Sequence, residues 1–82
     1  MRYHVEYKPQ AWRDLDGLRL KDATRIETRI TKLRNDLAGD VKRLHNFTPS
    51  YRLRVGDYRV LFEIEGDKVV IYRIKHRREA FD

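Results

Sequence analysis

The sequence predicts an α+β fold of order β-α-α-β-β-β, with two helices packed on one face of a small, mainly antiparallel four-stranded sheet. Three observations predict it. Residues 51–75 hold three strand-like runs, and Gly-Asp pairs at 56–57 and 66–67 separate them. Ala23, Ile26, Ile30, Leu33 and Leu37 step by three and four, which lines one face of a helix. A further alternating run opens the chain, and the helical segment stands between it and the other strands. Two-residue loops join antiparallel neighbours, whereas the long connection must cross over and cover one sheet face. Residues 1–82 read as a single domain, without repeats or a linker.

The first strand spans residues 2–7, where Tyr3, Val5 and Tyr7 alternate with Arg2, His4 and Glu6. Pro9 closes it and suits the first turn of a helix, where the N–H that proline lacks has no partner anyway. A short helix over residues 9–18 follows, with Trp12 and Leu15 on its buried side and Gly17 weakening its end. The second helix takes Asp22 as N-cap and stops at Gly39. Its solvated side carries Arg25, Thr28, Arg29, Lys32 and Asn35. Residues 40–50 form a connector broken by Asp40, Asn46, Pro49 and Ser50, from which Leu44 and Phe47 tuck under the sheet. Strands over residues 51–55, 58–65 and 68–75 complete the meander. The last is apolar on both sides at Val69, Val70 and Ile71, which suits a central strand.

The net charge is +6, from 19 basic and 13 acidic residues. Residues 42–82 hold ten of the basic and six of the acidic ones. A basic surface gathers polyanions and speeds association with them, so nucleic acid is the first partner to consider. No cysteine is present, which removes disulfides, thiolate zinc sites and cysteine nucleophiles and fits a reducing cytoplasm. The opening "MRYHVEYKPQ" has no apolar signal region, and no apolar run could cross a bilayer, so a soluble protein with no membrane partner is expected. His4, His45 and His76 are scattered without metal-ligand spacing, and no glycine-rich phosphate loop occurs. Neither metal nor cofactor is expected.

The arginines are the remaining signal. In "YRLRV", Tyr51, Leu53 and Val55 share one face while Arg52 and Arg54 share the other. In the next strand Tyr58, Val60, Phe62 and Ile64 form the apolar face, opposite Arg59, Leu61 and Glu63. With helices on one side only, Arg52, Arg54 and Arg59 meet on the open side. Same-face neighbours on a strand lie roughly 7 Å apart. The planar guanidinium suits phosphate because it donates two parallel hydrogen bonds. Lys75, His76, Arg77 and Arg78 end the last strand, from where side chains can reach back over the sheet. The same arginines could instead keep a sheet edge soluble, or pair with Glu63 or Glu65.

The segment "YRLRVGDYRV", followed after a second hairpin by "HRREAF", resembles the RelE/ParE toxin superfamily, on the RelE side, and the likeness extends over essentially the whole chain. The resemblance implies a RelE-like toxin of a type II toxin–antitoxin system. It implies a ribosome-dependent endoribonuclease that enters the A site and cleaves mRNA by attack of the RNA's own 2′-hydroxyl, without a metal. Arg59 and Arg77 match the family's two phosphate-stabilising arginines. Arg52 and Arg54 stand where the best-known members carry lysine, and arginine cannot serve as a base because it keeps its proton. Phe81 stands where the family has tyrosine, so it can stack on a base but has no proton to donate. His76, whose residue type titrates near neutrality, is then the expected base or acid. Lys75, Arg78 and Phe81 are expected to bind substrate. The implied partners are the ribosome, mRNA and a cognate antitoxin from the adjacent gene, whose acidic, amphipathic C-terminal segment folds on binding. Operator DNA is reached only through that antitoxin. Two other functions are compatible with the family: poisoning of DNA gyrase, as in ParE-like relatives with a longer first helical hairpin, and a catalytically degenerate member that binds its antitoxin and co-represses the operon.

Overall fold

The structure, a computed structural model, describes residues 1–80. Its elements are β1 (His4–Tyr7), α1 (Pro9–Asp16), α2 (Leu20–Lys32), β2 (Val41–Arg43), β3 (Tyr51–Val55), β4 (Tyr58–Glu65) and β5 (Lys68–His76). They form an α+β fold with one sheet of order β1-β5-β4-β3-β2. The sheet is five-stranded and mixed, which corrects the expected four strands. β1 runs parallel to β5, and the other neighbouring pairs are antiparallel. The additional strand lies in the segment expected to be a plain connector, where Val41, Lys42 and Arg43 pair with Leu53, Arg52 and Tyr51. Three residues are too few to print an alternating pattern. What recruits them is the otherwise unpaired edge of β3.

Both helices differ from expectation at their ends. α1 stops at Asp16, with Gly17 as its C-cap and the Gly17 N–H on the Arg13 carbonyl at 3.1 Å. α2 starts at Leu20 with Arg19 as N-cap, so Asp22 lies inside the first turn, against the positive end of the helix dipole. The helix ends at Lys32, well before Gly39. Asp36 and Leu37 adopt φ of 57° and 59°, so Leu37 reaches the core from a turn rather than from the helical stripe. β1 is shorter than residues 2–7, and Arg2 makes only an isolated bridge to Asn35.

The core lies between the helices and one sheet face. Ala11 and Leu15 of α1, with Ile26 and Ile30 of α2, cover Leu53, Val60, Phe62, Val69 and Ile71. Trp12, expected inside, is 47% exposed and stacks on Tyr7 with centroids 4.2 Å apart. Gly56 is favoured in the β3–β4 turn by its backbone, whose φ is 55°, and the Arg25 side chain of α2 lies close over it.

Two features of β5 shape the second face. Leu61 pairs with Arg73 but Phe62 with Ile71, so Tyr72 is an extra residue, a bulge. The bulge reverses the alternation. Val69 and Ile71 face the helices before it, and Ile74 and His76 do so after it, which turns Arg73 and Lys75 to the far face. Where β1 ends, Asp14 takes over the edge of β5. Its Oδ2 accepts the Ile74 N–H at 2.9 Å and Arg73 Nε at 2.8 Å. Burial pushes the Asp14 carboxyl up, but the bonds from Arg73, the Ile74 N–H and Gln10 together hold it below its ordinary value.

Candidate functional site

The far face of the sheet carries a row of three cations. Arg54 of β3, Arg59 of β4 and Lys75 of β5 are direct cross-strand partners. Like charges placed opposite one another in this way are destabilising. A row that survives in the fold is suited to an anion laid along it. Arg54 is exposed. Arg59 is only 4% exposed, and its Nη1 donates to the carbonyls of Gly56 at 2.9 Å and Tyr58 at 3.0 Å, which folds it over the β3–β4 turn. Arg77 reaches the same turn, with its N–H on the Asp57 carbonyl at 2.7 Å and its Nε 3.7 Å from Asp57 Oδ1.

The next row holds Lys42, Arg52, Leu61 and Arg73 in register. Arg52 is 7% exposed, and its Nη1 donates to the Asp40 carbonyl at 2.9 Å and lies 3.3 Å from Asp40 Oδ1. A charge-assisted bond of this type contributes about 1.5–3 kcal/mol, so Arg52 ties the chain entering β2 to β3. Glu63, a conceivable partner for the arginines, instead accepts Ser50 Oγ at 3.1 Å.

The face is less open than its helix-free position suggested. Residues 44–50 fold over part of it, closed by the Leu44 N–H on the Ser50 carbonyl at 2.7 Å. Under this loop lies a cavity of about 230 Å³, lined by Leu44, Phe47, Pro49, Leu61, Arg73 and Lys75. Lys75 thus belongs to both the cation row and the cavity wall.

The other expected residues are spread more widely. His76 is the cross-strand partner of Tyr58, so it faces the helices, away from the row. Its ring meets Tyr58 edge-on at 5.6 Å, and its Nδ1 accepts the Arg78 N–H at 3.2 Å. With Nδ1 accepting, a neutral imidazole carries its proton on Nε2 and presents a donor there. Beside it, Tyr58 donates to Asp22 Oδ2 at 3.3 Å, and burial together with the Asp22 charge raises the phenol. Arg78 is exposed in the turn after β5, and Phe81 lies outside the described residues. Sequence reasoning missed Lys42, Arg73 and the cavity. The one trace of the bulge is the three-residue step from Ile71 to Ile74 in a strand otherwise of period two. Among the described residues, no three His, Asp or Glu side chains gather to hold one cation.

Two helices over a mixed sheet, with cations in register on its far face, define a small basic α+β domain built around that face. The chain belongs to the family described as the ParE toxin of type II toxin–antitoxin systems, parDE, whose family model matches residues 5–81. It is similar to Toxin RelE3 of Methanocaldococcus jannaschii, with 40% identity over 48 residues, 58% of this chain and 54% of that protein. The chain therefore matches that curated relative over about half the relative's length. Among solved structures, it resembles the RelBE2 toxin–antitoxin complex of Mycobacterium tuberculosis at a TM-score of 0.81 and 27% identity, covering 94% of this chain and 100% of that one. The RelB-RelE antitoxin–toxin complex of Methanococcus jannaschii matches at 0.75 and 28%, covering 90% and 92%. The superfamily expected from "YRLRVGDYRV" and "HRREAF" is the one found.

Proposed function

We propose that this chain is a toxin that cuts mRNA in the ribosomal A site, using the far face of its sheet and no metal. The observation that carries the reading is the in-register row Arg54–Arg59–Lys75. In the reaction, the 2′-hydroxyl oxygen forms a bond to the adjacent phosphorus as its proton leaves. The P–O5′ bond breaks, and the departing oxygen takes a proton from water. The products are a 2′,3′-cyclic phosphate and a 5′-hydroxyl. Arg54 and Arg59 neutralise the charge that builds on the phosphorane oxygens, and Arg77 adds a third guanidinium from the turn that holds Arg59. Lys75 is the one member of the row able to release a proton, so it takes the proton of the 2′-hydroxyl. His76 faces the other side and acts as a positioning residue that orders the tail through Arg78. Arg52 positions the chain entering β2 through its bonds to Asp40. The ribosome aligns the RNA for in-line attack.

A toxin of this type requires a cognate antitoxin, whose acidic segment neutralises the cation row. The names of the similar complexes, RelB-RelE and RelBE2, support such a partner. Operator DNA is contacted through the antitoxin. The ParE description of the family model favours a second reading, in which DNA gyrase is poisoned. The helices count against it, since α1 has 8 residues and α2 13, whereas the family resemblance implies a longer first helical hairpin in ParE-like toxins. Inducing the chain in cells and mapping the 5′ ends of their transcripts separates the two. New ends inside translated codons are the expected result. Growth arrest with DNA damage signalling and no such ends would assign the chain to gyrase.

A further inference from the structure

We infer that the cavity beneath residues 44–50 is a nucleobase subsite, so that the sheet holds one nucleotide of its RNA with the base in the cavity and the phosphate on the cation row. The inference deepens the nuclease reading and rests on it for the source of the nucleotide.

Four observations carry it. First, the cavity is a built feature. The Leu44 N–H bonds the Ser50 carbonyl at 2.7 Å, and Ser50 Oγ bonds Glu63 at 3.1 Å, so both ends of the loop are fixed to the sheet. Second, its walls differ in kind. Leu44, Pro49 and Leu61 offer aliphatic surface and Phe47 an aromatic ring, while Arg73 and Lys75 bring positive charge. A flat, weakly polar ring with acceptor atoms on its edge fits that mixture better than an aliphatic side chain does. Third, Arg73 is fixed from behind, with Nε 2.8 Å from Asp14 Oδ2, so the cavity wall is preorganised. Fourth, the cavity adjoins the row. Leu61 lies two residues from Arg59 on β4, and Lys75 belongs to both. Two residues along a strand span roughly 7 Å, within the reach of a single nucleotide from base to phosphate. Charge complementarity thus selects a nucleotide over a second copy of this chain, whose formal charge is also +6.

The test is a titration of isotope-labelled chain with adenosine 3′-monophosphate, and in parallel with ribose 5-phosphate, which has the phosphate and no base. The nucleotide is expected to move the NMR signals of both the row (Arg54, Arg59) and the cavity (Phe47, Leu61). The abasic phosphate is expected to move the row alone. Phe47→Ala is expected to weaken nucleotide binding about 5- to 150-fold, by the usual strength of base stacking on an aromatic ring, with ribose 5-phosphate binding unchanged. Identical shift patterns for the two ligands would overturn the inference, as would cavity signals that move only with protein concentration, the mark of self-association. These outcomes are independent of transcript mapping. A chain that binds the nucleotide as described and cuts no mRNA would refute the nuclease and keep the subsite.

Discussion

At the scale of single residues, arginine and lysine are not interchangeable, and this decides the chemistry. Arg54 and Arg59 can stabilise charge but cannot accept a proton. Lys75 can do both, and it stands in their row. Lys75→Arg keeps the charge and removes the proton transfer. Single-turnover cleavage of a ribosome-bound message is expected to slow by about 10²–10⁴-fold. His76→Gln is expected to change the rate little and to leave the pH profile intact, because His76 faces Tyr58 on the helix side. The opposite ranking of the two variants would return proton transfer to His76. Arg52, Arg54 and Arg59 were legible on the far face from alternation alone, whereas Arg73 was hidden by the bulge. Lys75 and His76 were not told apart, because one inserted residue at Tyr72 decides which of them faces the row, and a bulge leaves almost no mark in the sequence.

At the scale of elements, β3, β4, their hairpin and the last strand were legible because two-residue Gly-Asp turns separate regular apolar faces. β2 was not, since a three-residue strand exists through its neighbour's hydrogen bonds rather than its own pattern. The ends of α2 were missed for a related reason. Its apolar stripe continues through Leu37, while the backbone has already turned at Asp36. Nor does any local signal announce Asp14, a polar residue of a short helix that caps the edge of β5 and fixes Arg73. Its carboxyl titrates below its ordinary value of 3.8 in the folded chain. The stability it contributes is therefore complete above that ordinary value and is lost as pH falls through the lowered folded value. Asp14→Asn is expected to lower the melting temperature at neutral pH. Melting curves of variant and parent should then converge in strong acid. A constant gap between them down to pH 2 would show that the Asp14 charge does not stabilise the edge.

At the scale of the whole molecule, a chain of 82 residues with a +6 charge keeps like charges in register on one sheet face. The fold tolerates the repulsion by turning Arg59 onto the carbonyls of its own hairpin and Arg52 onto Asp40, which leaves Arg54 exposed to a ligand. On the proposed function, the anion arriving on that face is RNA during cleavage and an acidic antitoxin segment at rest. Arg54 is the cleanest probe, since its exposed side chain can be removed with little effect on the core. The decisive measurement is single-turnover cleavage of a ribosome-bound message by the parent chain and by Arg54→Ala, at matched melting temperature. The account predicts a 2′,3′-cyclic phosphate product from the parent and a rate about 10²–10³-fold lower in the variant, as for loss of one preorganised donor to a developing oxyanion. Equal rates, or no cleavage by the parent chain, would contradict it.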